Sequence, residues 1–206
     1  KDFEKLVGYN HSLKNIVKQC KATISYPPNG LPMMLYGPTG TGKSYVAKLT
    51  YEWARNHGIL DPAAKFVTVN CSEYANNPEL LTANLFGHIK GAFTGAEKDN
   101  EGLLALADKG VLFLDEVHEL KAECQEKLFL FMDQGIYHRV GDNDKWYKSD
   151  VRIIFATTEQ PEKVLLKTLL RRIPMFVTIP SLSQRGMRER IELMYDLFSK
   201  EEKRLG

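Results

Sequence analysis

Eight consecutive residues, Gly37-Pro38-Thr39-Gly40-Thr41-Gly42-Lys43-Ser44, narrow the choice of fold more than any other stretch of the chain. They fit G-x-x-x-x-G-K-[ST], a pattern that requires a strand before it and a helix after it. Both neighbours are legible. Met33, Met34, Leu35 and Tyr36 form a short apolar run. Residues 43–57 read as a helix, with Tyr45, Leu49 and Trp53 recurring four apart and Gly58 as a stop signal. Glycines let backbone N–H groups fold around phosphate oxygens, and the helix N-terminus adds the positive end of its dipole. Lys43 is then expected to reach the β- and γ-phosphates, and Ser44 to hold Mg²⁺.

Further strands follow at 66–69, 111–114, 151–156 and 175–179. The third of the five, Val111-Leu112-Phe113-Leu114, is wholly apolar and so belongs inside a sheet. A helix is expected over 119–134, ended by Gly135. Alternating strands and helices predict an α/β domain with a mainly parallel sheet. Asp115-Glu116 directly follows the apolar strand, which sets two carboxylates beside the phosphate loop. Asp115 is placed to bind Mg²⁺ through its waters, and Glu116 to polarise an attacking water.

Composition excludes several classes. With 206 residues, 43% hydrophobic and 26% charged, the chain is long enough to bury one sizeable core. No apolar run approaches the ~18 residues of a spanning helix, so no membrane role is expected. Interspersed charges and a net charge of +2 do not suggest a nucleic-acid surface. Cys20, Cys71 and Cys124 form no C-x-x-C pair, which argues for reduced thiols rather than a disulfide framework or zinc site. The chain lacks an initiator Met and reads as a piece of a longer protein. After Pro180 the pattern turns helical over 187–203, with Ile191, Met194 and Leu197 on one face. That stretch is expected to begin a second, incomplete unit.

Two strings admit more than one reading. Asp115-Glu116-Val117-His118 resembles the DExH box of superfamily-two helicases. Such a helicase needs a second motor domain, which nothing after residue 180 could supply. His118 is otherwise read as a turn residue. Gly91-Ala92-Phe93-Thr94-Gly95-Ala96 is by composition a small-residue loop with one aromatic, either a mobile contact tip or a Phe93 tucked into the core.

In register with both nucleotide motifs, that hexapeptide resembles the signature loop of bacterial enhancer-binding proteins, the AAA+ activators of sigma-54 RNA polymerase. Supporting stretches are Leu6-Val7-Gly8, Val69-Asn70-Cys71, Leu85-Phe86-Gly87-His88, Arg139-Val140-Gly141 and residues 151–158. The string from Ile179 to Arg190, with Ser-Leu-Ser-Gln-Arg, is similar to the LevR-like, sugar-phosphotransferase-controlled subgroup.

The resemblance implies a three-layer AAA+ P-loop NTPase core over 1–182, with a five-stranded parallel sheet in the order 5-1-4-3-2. Residues 183–206 would begin a truncated helical lid. It implies ATP and Mg²⁺ as cofactors and hydrolysis coupled to sigma-54 remodelling at promoters. Phe93 and Thr94 would touch sigma-54. Asn70 would hold Glu116 and relay nucleotide state to the loop. Thr158 stands at the sensor position, where the family usually has Asn, and Val7 and Gly8 border the adenine. Arg171 matches the second of two arginine fingers. The first falls near Leu165, where no arginine stands, leaving Arg172 or Lys167 to compensate. Fingers imply a ring of identical subunits, expected to be a hexamer. DNA binding would belong to a domain outside these residues, and the setting would be the bacterial cytoplasm.

Overall fold

A computed structural model describes residues 2–205. Five parallel strands make the sheet: β1 (Met33–Tyr36), β2 (Phe66–Asn70), β3 (Val111–Asp115), β6 (Arg152–Thr157) and β7 (Met175–Thr178). A two-stranded antiparallel ribbon, β4 (Ile136–Tyr137) and β5 (Tyr147–Lys148), stands apart from it. The sheet order is β2-β3-β6-β1-β7. Set the ribbon aside and read from the other edge, and this is the 5-1-4-3-2 order that the resemblance implied. The ribbon is the departure in detail: its two-residue strands are too short to leave a periodic signal.

Strand pleating sends alternate residues to opposite faces. Met33, Leu35, Val111, Phe113, Ile154 and Ala156 therefore pack on one side, with α1 (Lys14–Ile24) and α2 (Lys43–Asn56). Met34, Leu112, Leu114, Ile153 and Phe155 pack on the other. That second face is covered by α3 (Pro78–Phe86), α4 (Leu103–Leu106), α5 (Ala122–Gln134), α6 (Pro161–Val164) and α7 (Lys167–Leu170). The result is three layers around two apolar clusters. β3 is flanked by β2 and β6 and is apolar on both faces, as its sequence demands.

Some expectations need correction. The buried stripe of α2 is Val46, Leu49, Thr50 and Ala54, whereas Tyr45 is exposed. The helix expected from residue 119 begins at Ala122, because Val117–Glu119 forms a 3-10 turn and Leu120 is extended. α1 and α3 went unread in the sequence. α8 (Met187–Leu205) is a single helix whose Ile191, Met194 and Leu197 are all exposed.

Strand register places the site. Tyr36 pairs with Thr157, and Asn70 with Asp115, at the carboxyl ends of their strands. Ligands of open α/β sheets bind in the crevice outside those ends.

Candidate nucleotide site and contact loop

The phosphate loop leaves β1 at Gly37 and enters α2 through Gly42. Gly42 sits at φ 90°, a left-handed value that costs glycine least. The Lys43 side chain folds back into the loop and donates to the carbonyls of Gly37 at 2.8 Å and Pro38 at 3.0 Å. Burial pushes the Lys43 pKa down, and the charges of Asp115 and Glu116 partly restore it. The Ser44 hydroxyl lies 3.4 Å from the Asp115 carboxylate, across 71 residues of sequence. Two hard oxygen donors this close suit Mg²⁺, which takes few protein ligands and leaves the rest to phosphate and water.

Glu116 occupies a left-handed conformation, φ 54° and ψ 45°, rare for a residue with a side chain. Its N–H donates to Asp115 Oδ1 at 2.9 Å, which offsets part of that strain. The bend turns the Glu116 carboxylate toward His118, whose Nε2 is 3.3 Å from Glu116 Oε2. The other ring nitrogen, Nδ1, is 3.2 Å from the Thr157 hydroxyl. His118 is thus a member of the site and more than a turn residue.

Two expected contacts are arranged differently. The Asn70 amide oxygen accepts from the Ser72 N–H at 3.0 Å and the Ser72 hydroxyl at 2.7 Å, capping the 3-10 turn Cys71–Tyr74. Among the described residues Asn70 makes no hydrogen bond to Glu116, a carboxylate that could accept only from the Asn70 Nδ2–H₂. On β6, Thr157 rather than Thr158 brings a hydroxyl into the site's hydrogen bonds, since Thr158 lies just beyond the strand end. Sequence reasoning missed Thr157, for which the only signal was a hydroxyl at the end of an apolar strand; its approach to His118 comes from strand packing.

A cavity of about 340 Å³ opens beside the phosphate loop, walled by Leu6, Val7, Tyr45, Leu182, Arg185 and Leu193. Val7 lines it as expected. Gly8 does not; it passes under Glu189, where a Cβ would lie 2.8 Å from Glu189 Oε2. Glu189 in turn accepts from the Ser12 hydroxyl at 2.5 Å and the Ser12 N–H at 3.1 Å, tying α8 to the N-terminal segment.

The 91–96 segment is closed by Gly91 N–H to Ala96 carbonyl at 2.8 Å. Phe93 is 37% exposed, its ring edge-on to His88 at 4.9 Å, so it belongs to the tip and not to the core. The loop is seated on the connection between the two ribbon strands. Ile89 N–H donates to the Val140 carbonyl at 3.1 Å, and a Cβ on Gly141 would lie 2.8 Å from the Ala92 Cβ. Arg171 and Arg172 are both exposed at the end of α7. Arg172 is ion-paired with Asp133 and lies over the Phe129 ring, whereas Arg171 has no ion pair among the described residues.

With the loop, the phosphate cradle and the paired carboxylates in place, comparison with known families is decisive. The sigma-54 interaction domain model matches residues 6–180. The chain belongs to the sigma-54 interaction domain family. Among curated relatives, the transcriptional regulatory protein LevR of Bacillus subtilis is 50% identical over 98% of this chain and 22% of its own length. The transcriptional regulatory protein DagR of Salmonella typhimurium is 42% identical over 98% of this chain, again 22% of that protein. The chain therefore spans about a fifth of the length of these relatives. Among solved structures, NtrX from Brucella abortus in complex with ATP superposes with a TM-score of 0.74 at 30% identity, covering 95% of this chain and 41% of that one. A Thermotoga maritima RuvB mutant, at 14% identity and a TM-score of 0.61, shares the fold. This sigma-54 interaction domain is LevR-like in sequence, in line with the Ile179 to Arg190 string. No helix among its described residues is long and apolar enough to cross a membrane.

Proposed function

We propose that this domain binds Mg-ATP, hydrolyses it and uses the cycle to move the 91–96 loop against sigma-54, remodelling the polymerase so that promoters open. The single observation that carries the reading is the Ser44–Asp115 approach beside the buried Lys43, one cradle built from two separate sequence elements, the start of α2 and the end of β3. The loop amides of residues 37–42 and Lys43 hold phosphates, and Ser44 and Asp115 hold the metal. The metal, once bound, neutralises charge on the β- and γ-phosphates. Glu116 takes a proton from the attacking water. Thr158 lies near enough to the strand end to act as sensor, and Val7 borders the base.

A physical route joins this chemistry to the loop. The Asn70 turn carries Tyr74, whose hydroxyl accepts from the Asn84 amide of α3 at 3.0 Å. α3 then runs directly into Gly87 and the loop. Rotation of Asn70 so that its Nδ2–H₂ donates to the Glu116 carboxylate, at the expense of the Ser72 bonds to its oxygen, would pull on that route, a two-state element of the kind that coupling requires. Arg171, lacking an intramolecular ion pair among the described residues, is the finger offered to a neighbouring subunit's phosphates, and Arg172 buttresses it. This supports a head-to-tail ring, a hexamer by family resemblance. Residues 1–182 act as the nucleotide core and 183–206 as the start of the lid. DNA contact falls to another domain of a cytoplasmic bacterial regulator under sugar-phosphotransferase control.

The testing experiment is sedimentation velocity of labelled sigma-54 with this chain and an ADP–metal-fluoride mimic. Fast-sedimenting sigma-54 that returns to its free rate with Thr94→Ala is expected. Rings that leave sigma-54 free would overturn the activator reading.

A further inference from the structure

The His118 imidazole is a chemical group at the site that the proposed cycle leaves unused. Its side chain is 19% exposed, and both ring nitrogens face a polar partner. Nε2 is 3.3 Å from Glu116 Oε2, and Nδ1 is 3.2 Å from Thr157 Oγ1. A second carboxylate, Glu119, is farther away at 3.8 Å.

Proton arithmetic allows one neutral arrangement. The Glu116 carboxylate only accepts, so Nε2 carries the hydrogen. The Thr157 oxygen already accepts from the Glu159 N–H at 3.1 Å, and its own hydrogen is free to be donated to Nδ1. Thr157 is fully buried at the end of β6. Its backbone carbonyl accepts from the Gly37 N–H at 3.3 Å, and Gly37 opens the phosphate loop. One chain of polar contacts therefore runs from Gly37 through Thr157 and His118 to Glu116, by hydrogen bonds as far as the His118 ring and by the 3.3 Å ion-pair approach of Nε2 to the Glu116 carboxylate. The Gly37 carbonyl is itself held by Lys43.

We propose that His118 is a positioning residue for Glu116: the Thr157 hydroxyl fixes the ring from one edge, and the ring holds the carboxylate from the other. The strained backbone of Glu116 supplies the need. A left-handed residue at a strand end has few contacts to set its side chain, and here the set comes from the neighbouring strand. The same chain ties the base to the phosphate loop, so displacement of Lys43 from Gly37 by a bound phosphate reaches Glu116 through Thr157. This role rests on Glu116 acting as the water-activating base.

The test has two independent readouts. In ¹⁵N NMR of the nucleotide-free chain, at a pH well above the ordinary histidine value, His118 is expected as the Nε2–H tautomer. Thr157→Val should move its Nδ1 resonance. An Nδ1–H tautomer, or a ring averaging between both and indifferent to Thr157→Val, overturns the proposal. In ATPase assays, His118→Ala should lower kcat roughly tenfold with ATP affinity within about twofold of the parent. His118→Gln, whose amide reaches the Nε2 position, should recover most of that loss, and His118→Asn should not. Parent-like kcat in His118→Ala, or equal losses in Gln and Asn, overturns the inference alone. A parent chain that binds ATP without turnover overturns the hydrolysis reading instead, and the ring tautomer then decides whether His118 holds Glu116.

Discussion

Gly87 and Gly102 cross at the base of the contact loop so closely that a Cβ on Gly102 would lie 2.3 Å from the Gly87 nitrogen. Both are at positive φ, 80° and 83°. The two glycines form a neck: α3 ends at the first and α4 begins at the second, with the whole 88–101 excursion held between them. The neck sets the loop on a rigid base, which is what a lever needs. Gly102→Ala meets backbone on one side and left-handed strain on the other. It should destabilise the fold by about 2–4 kcal/mol in urea unfolding. A loss below about 0.5 kcal/mol would show that the neck relaxes freely.

Glu116→Gln removes the proposed base and keeps the shape. ATP affinity should stay within a few-fold of the parent, because Lys43, Ser44 and Asp115 are untouched. Turnover should fall by about 100-fold or more. Equilibrium binding of a fluorescent nucleotide and a phosphate-release assay check the two halves. Unchanged turnover would remove Glu116 from the role.

The two arginines at the end of α7 should separate cleanly. Arg171→Ala is expected to abolish the rise of specific ATPase activity with protein concentration that assembly produces, leaving nucleotide affinity and melting temperature unchanged. Arg172→Ala breaks a surface pair with Asp133, with the arginine side chain 48% exposed, and should cost no more than about 1 kcal/mol of stability. The reverse pattern would assign the finger to Arg172.

Glu189 gives the fold an acid-sensitive joint. Burial raises its pKa, but the two hydrogen bonds from Ser12 and the charges of Arg185 and His11 outweigh it and hold the carboxyl below its ordinary value. The folded state therefore binds that proton less readily than the unfolded chain. The stabilisation is full above the unfolded carboxyl value and fades as pH falls through the folded one. Glu189→Gln should lower the urea midpoint at neutral pH and converge on the parent in acid. Parallel curves across that range would show that Glu189 contributes no proton-linked stability.

The sequence by itself determined the sheet, the phosphate loop and the family. Glycine spacing, a lysine at a helix start and a carboxylate pair after an apolar strand are local patterns, set by backbone geometry within a few residues. The hexapeptide loop was legible for the same reason, being one contiguous string. Tertiary structure alone decided which side chains meet. The Asn70 oxygen took the two donors of Ser72 in its own 3-10 turn, which residue type cannot reveal. His118 gained its role only when strand register brought Thr157, 39 residues away, to within 3.2 Å of its ring. Arg171 and Arg172, adjacent and alike in sequence, were separated by the single carboxylate of Asp133 on another helix. Contacts of this kind depend on sub-ångström placement across the sheet, whereas a motif depends only on the chain's local order.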